Sequence, residues 1–131
     1  MDQNKKYKVL IVDDDEFLLN MYAVKLSASG FDVITSSSTQ EVLKKLRGGY
    51  IYDVLILDIV MPGMDGIELL EIIKTEKLIE RTITIVLSNQ GQPVDVDRAK
   101  RLGIKGYIVK ASSIPSEVVE GVKKIIKESG I

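Results

Sequence analysis

The chain has 131 residues, 45% of them hydrophobic, a length and apolar content suited to one domain that buries its own core without disulfides or a structural metal. It contains no Cys and no His, and its 18 Lys and Arg nearly balance 19 Asp and Glu, for a formal net charge of -1. That balance excludes a broad basic field for nucleic acid or acidic lipid, and the missing imidazoles and thiols leave carboxylates, hydroxyls, Lys and a hard cation to carry any chemistry.

No apolar run approaches the ~20 residues of a membrane span, since Asp13 ends the run from Tyr7 and Asp58 ends the run from Val54. Residues 1–6 hold no apolar stretch of the kind that marks a secreted chain. The expectation is a single cytoplasmic domain over 1–131, with its core over about 7–127 and no nucleic-acid or membrane contact of its own.

Short apolar runs alternate with longer amphipathic stretches from end to end. The first strand is expected over Lys8–Val12 and the first helix over Asp15–Ser29, closed by Gly30. A second strand over Phe31–Thr35 leads to a helix over Thr39–Arg47, opened by Ser38 and Glu41 at capping-box spacing and closed by Gly48-Gly49. The third strand, Asp53–Leu57, precedes a helix over Asp65–Thr75 with Ile67, Leu70 and Ile73 on one face. Ile83–Leu87 follows as the fourth strand, then a weaker helical stretch over Val94–Leu102 that ends at Gly103. Gly106–Val109 is the fifth strand, and the last helix, Pro115–Glu128, carries Pro in its first turn and Val118, Val122 and Ile125 on its apolar stripe.

Five strands and five helices in strict alternation predict an α/β fold: a doubly wound, flavodoxin-like parallel sheet of order 2-1-3-4-5 with helices on both faces. Ligands in such sheets sit outside the carboxyl ends of the strands, here between strands 1 and 3.

Strand 1 runs out into Asp13-Asp14-Asp15 and strand 3 into Asp58, so Asp13, Asp14 and Asp58 meet at one edge. Two like charges ~5 Å apart repel by ~3 kcal/mol at an effective dielectric of ~20, and the cluster therefore calls for a neutralising partner. One Asp of the run serves to cap the helix that follows. A triple Asp exceeds that need, and Asp58 precedes a loop. An all-oxygen donor set suits Mg²⁺ first, then Mn²⁺ and Ca²⁺. Ser88 and Lys110 end strands 4 and 5 at the same edge, and a hydroxyl and an ammonium beside a metal-bound carboxylate suit the oxygens of a phosphoryl group. Taken singly, each reads as a turn or solvated residue; their joint placement carries the weight.

In order and at matching intervals, Asp13-Asp14, the segment Leu57-Asp58-Ile59-Val60-Met61-Pro62-Gly63-Met64-Asp65-Gly66, Ser88 and Gly106-Tyr107-Ile108-Val109-Lys110 resemble the receiver domain of two-component response regulators, from about Tyr7 to Lys127. The resemblance implies that Asp58 is the phosphoacceptor, taking a phosphoryl group as an acyl phosphate from the phosphohistidine of a sensor histidine kinase or phosphotransfer protein. It implies a Mg²⁺ site of Asp14, Asp58 and the backbone carbonyl of Val60, with Asp13 assisting through water. Lys110 would pair with the phosphoryl oxygens, and Ser88 would bond them after moving inward. Tyr107 would turn from exposed to buried, altering the face of the fourth helix, fifth strand and fifth helix that controls a partner or output domain. A homodimer through the fourth and fifth helices is open to the same face. Such a domain is not an enzyme in the turnover sense; it assists its own phosphorylation and dephosphorylation.

Three positions depart from the family pattern. Ala111 stands where Pro, often with a cis bond, usually follows the Lys; a non-proline cis bond costs ~3 kcal/mol, which makes a trans bond and a shifted Lys110 loop the cheaper arrangement. Asn89 replaces a small residue, and Val60 is apolar where it would restrict an attacking water; both point to an altered phosphoryl lifetime without giving its direction. Ala111 and Asn89 favour an alternative, a pseudo-receiver interaction module that acts without phosphorylation, which the complete acidic set opposes. A Mg²⁺-dependent phosphatase with Asp58 as nucleophile is opposed by Val60, which stands where a second Asp is needed.

Overall fold

A computed structural model of the chain describes residues 6–59, 64–89, 93–110 and 114–129. Its elements alternate as β1 (Lys8–Val12), α1 (Glu16–Ala28), β2 (Asp32–Ser36), α2 (Thr39–Arg47), β3 (Val54–Leu57), α3 (Gly66–Thr75), β4 (Ile83–Ser88), α4 (Pro93–Arg101), β5 (Gly106–Val109) and α5 (Pro115–Glu128). Every strand pairing is parallel and the order is β2-β1-β3-β4-β5, as the alternation predicts. The register sets Val12 beside both Ser36 and Leu57, so the residues after β1 and β3 leave the sheet side by side.

β1 beyond Lys8, β3 and β4 are wholly buried, because helices cover both faces of a parallel sheet. Successive strand residues point to opposite faces, which divides the core in two. Val9, Ile11, Ile56 and Ile85 pack with Leu19, Tyr22 and Leu26 of α1 and Val118, Val122 and Ile126 of α5. Leu10, Val12, Leu55, Leu57 and Val86 pack with Val42 and Leu46 of α2, Leu70 and Ile73 of α3 and Ala99 of α4. Among the described residues no helix is long and apolar enough to cross a membrane.

The helix starts follow side-chain chemistry. Asp15 accepts from the amides of Phe17 and Leu18, Ser38 from Glu41 at 3.3 Å, and Asp65 from Glu68 at 2.8 Å, each satisfying donors that the first turn leaves open. Asp15 is thus the capping member of the triple Asp. The helix ends follow backbone geometry. Phe31 donates to Leu26, Tyr50 to Lys45, Leu78 to Ile73 and Ile104 to Ala99, the long closing bond of a Schellman turn. This is why β2 begins at Asp32 and not at the expected Phe31, whose amide belongs to the end of α1.

The residue before each closing donor is left-handed: Gly30 at φ 96°, Gly49 at 93°, Lys77 at 58° and Gly103 at 89°. That conformation costs an L side chain about 1–2 kcal/mol and glycine almost nothing. Lys77 alone of the four bears the cost.

Candidate functional site

The sheet continues for one residue past β1 and β3 through its backbone. Asp13 donates its amide to the Ser36 carbonyl at 3.2 Å and Asp58 donates its amide to the Val12 carbonyl at 3.1 Å. Their side chains therefore project from fixed, adjacent points. Beneath Asp58, the first residue of α3 comes unusually close: the Gly66 amide donates to the Ile59 carbonyl at 3.0 Å, and a Cβ on Gly66 would fall 2.5 Å from the Asp58 carbonyl oxygen. Only glycine lets α3 start this close to the end of β3.

Asp13, Asp58, Ser88 and Lys110 are all buried, whereas Asp14 is exposed. Lys110 donates to Asp13 and, at 3.0 Å, to Asp58 Oδ2. Ser88 Oγ donates to Asp58 Oδ1 at 3.0 Å, and the Asp15 amide donates to Asp13 Oδ1 at 3.0 Å. All four oxygens of the two buried carboxylates are bonded, as burial of charge demands.

Burial pushes the Asp13 carboxyl above the usual aspartate range; the bonds from Lys110 and Asp15 oppose this without cancelling it, and the charge of Asp58 adds to it. Burial alone would lower Lys110, but its bond to Asp13 and the charge of Asp58 outweigh that and hold it above the ordinary lysine range. Lys110 is a fixed cation, and Asp13 is an anion the fold tolerates poorly.

One ammonium does not neutralise three carboxylates. One oxygen from each of Asp13, Asp14 and Asp58 can be chosen so that the three lie within 4.8 Å of one another, which fits a hard divalent cation by spacing and by an all-oxygen donor set. The group opens onto a cleft of about 290 Å³, also lined by Asp15, Leu18 and Asn89.

The structure brings together Asp13, Asp14, Asp58, Ser88 and Lys110, as the strand-end reading requires. Ser88 Oγ already has an acceptor in the Asp58 carboxylate, and Tyr107 is half-buried and packed against the core on the α2, α3 and α4 side of the sheet. Val60, whose carbonyl is an expected cation ligand, and the Ala111 side of the Lys110 peptide lie outside the described residues. Leu18 escaped the sequence reading; its position three residues after the Asp15 cap, which turns that part of α1 toward the strand ends, was the available signal.

The response regulator receiver domain family matches residues 9–123 of the chain. The alkaline phosphatase synthesis transcriptional regulatory protein PhoP of Bacillus subtilis is 35% identical over 124 residues, covering 95% of this chain and 50% of that protein. The transcriptional regulatory protein ResD of the same organism is 32% identical over 130 residues, or 98% of this chain and 52% of that one. The chain spans about half the length of these curated relatives. Among solved structures, a CheY-like response regulator receiver domain protein from Methanospirillum hungatei JF-1 superposes with a TM-score of 0.84 at 27% identity, covering 95% of this chain and 96% of its own. The chemotaxis response regulator CheY4 of Vibrio cholerae gives 0.82 at 26% identity over 92% of this chain and 99% of its own.

Proposed function

The chain belongs to the response regulator receiver domain family, and from that premise we propose that it is a phosphorylation switch whose acceptor is Asp58. The observation that carries this reading is the Asp58 carboxylate itself, buried beside two further carboxylates with its oxygens already held by Ser88 and Lys110. An Asp58 oxygen attacks the phosphorus of a phosphohistidine. The new O–P bond forms as the N–P bond breaks, and the departing electron pair returns to the imidazole, which takes up a proton. Lys110 and Ser88 hold the nucleophile in line and offer donors to the phosphoryl oxygens as charge develops there. Asp13, Asp14 and Asp58, with the Val60 carbonyl, would hold Mg²⁺, or Mn²⁺ as a substitute, and when bound this ion supplies positive charge that screens two approaching anions.

Transfer turns one Asp58 oxygen into a bridging atom and moves the accepting oxygens outward. Lys110 and Ser88 must follow them. Ser88 pairs with Val109, and Tyr107 with Val86 two residues upstream of Ser88, so a pull on either strand end is felt across β4 and β5. Phosphorylation shifts the equilibrium because the two states present these donors differently, and the altered face of α4, β5 and α5 is the output. On this reading the chain is one receiver unit over 1–131, with its core over about 7–127. It would be cytoplasmic, served by a sensor histidine kinase or phosphotransfer protein and acting on a downstream protein, an output domain or a second copy of itself through α4 and α5.

Incubation with Mg²⁺ and acetyl phosphate followed by intact-mass measurement tests the proposal. The expected result is a gain of one phosphoryl group that Asp58→Asn abolishes. Failure to gain it would favour an interaction module, and repeated turnover of phosphate esters would favour a phosphatase.

A further inference from the structure

The end of the sheet opposite the acidic site holds a cavity that the phosphoryl chemistry does not use. It measures about 420 Å³ and lies between the end of α3, the start of β4 and the α4–β5 turn, a size within the roughly 300–1,000 Å³ of small-molecule pockets. Its apolar lining comes from Leu70, Ile73, Ile79 and Leu102. Lys74, Lys77 and Lys105 also line it, against a single acidic residue, Glu80. The Thr82 hydroxyl is committed elsewhere, donating to the Tyr52 carbonyl at 2.8 Å, and Lys74 donates to the Arg101 carbonyl at 3.0 Å. The charged groups left to meet a ligand are the ammonium groups of Lys77 and Lys105, beside the Thr84 that also lines the cavity.

Lys77 supplies a separate line of evidence. Four helices end in the same turn, and at three of them the left-handed position is Gly30, Gly49 or Gly103. The fourth is Lys77, at φ 58°; it lines the cavity together with Gly103, and of these two left-handed positions it is the one that carries a side chain. Strain of this kind persists where a side chain is needed. An apolar lining, Lys77 and Lys105 against the single Glu80, and a strained Lys at its edge together specify the occupant's chemistry.

We propose that this cavity binds a small amphiphilic anion, an apolar body carrying one carboxylate, with Lys77 and Lys105 as its charge partners. The proposal does not depend on phosphorylation at Asp58.

Titration of the full chain with octanoate, followed by ¹H–¹⁵N spectra, tests it, with 1-octanol and inorganic phosphate as separate probes. Octanoate should move the amides of Lys77, Leu78, Thr84 and Lys105 along a saturable curve, and each comparator should bind about tenfold more weakly or worse, since it lacks either the charge or the apolar body. Lys77→Gly should raise the Tm by about 2–4 °C by relieving the left-handed strain while weakening octanoate about tenfold. Lys105→Gln should weaken octanoate too, and Lys127→Gln, on α5, should leave its affinity unchanged. Octanoate that fails to saturate these amides overturns the proposal. So does phosphate that binds as tightly as octanoate. Lys77→Gly that is more stable yet binds octanoate unchanged also overturns it, because Lys77 then serves only the α3 dipole.

Discussion

The two ends of the parallel sheet solve the same problem by different means. Every helix begins at the carboxyl ends of the strands and finishes at the amino ends, and each terminus leaves backbone groups to be satisfied. At the carboxyl end side chains do this, through Asp15, Ser38 and Asp65. The same end also buries Asp13, Asp58 and Lys110, ionisable groups that a core built for stability alone would avoid. At the amino end backbone turns do the work, with glycine wherever the chain turns left-handed except at Lys77. One end spends stability on chemistry; the other follows local rules closely enough that its one departure stands out.

Removing the buried cation should break this contrast most sharply. Lys110→Met leaves Asp13 and Asp58 facing each other without a counter-charge, at an expected loss of about 3–5 kcal/mol in urea unfolding without divalent cations. Millimolar Mg²⁺ should restore part of that loss, as it should raise the Tm of the natural chain. A loss below about 1 kcal/mol would give Lys110 the energetics of a surface pair.

The two glycine positions separate the ends by mechanism. Gly66→Ala places a methyl against the Asp58 carbonyl and should cost about 1–3 kcal/mol by overpacking, slowing phosphorylation as the acceptor strand is pushed aside. Gly49→Ala meets nothing within 4 Å and should cost about 1–2 kcal/mol through its left-handed backbone alone, leaving the phosphorylation rate unchanged. Equal effects on that rate would erase the distinction.

pH sharpens the comparison further. Because Lys110 is raised in the folded state, its contribution is complete below the ordinary lysine range and is lost as pH rises through its raised value. Asp13 has the same sense in a lower pH range, as a growing penalty instead of a lost gain: a carboxyl raised by folding binds its proton more tightly in the native state, so its penalty grows as pH rises through and above the ordinary aspartate range. Unfolding free energies measured across pH should therefore shift in favour of Asp13→Asn, relative to the natural chain, as pH increases from acid to neutral. The smallest effect belongs to Ser38→Ala, a loss of about 1 kcal/mol from one helix cap, with phosphorylation unchanged.

The strand order and the meeting of Asp13, Asp14 and Asp58 were legible because uninterrupted apolar runs and helix-length spacers leave few topologies. Ser88 and Lys110 were legible as strand ends. What the residues could not disclose was how they are paired. Lys110 is shared between Asp13, 97 residues away in the chain, and Asp58, 52 residues away. Ser88 bonds Asp58 across 30 residues of chain, a pairing that only the β3–β4 register brings about. The left-handed Lys77 was illegible for a local reason: its dihedral angle is imposed by the closing bond from Leu78 to Ile73, and no glycine marks the turn.

Borohydride reduction after incubation with Mg²⁺ and acetyl phosphate tests the role of Asp58 most directly, since hydride converts an acyl phosphate to an alcohol and expels phosphate. Peptide mapping by mass should find homoserine at position 58 and at no other acidic position. Homoserine at position 13 or 14, or an unreduced Asp58 in a chain that has gained a phosphoryl group, would contradict its assignment as the acceptor.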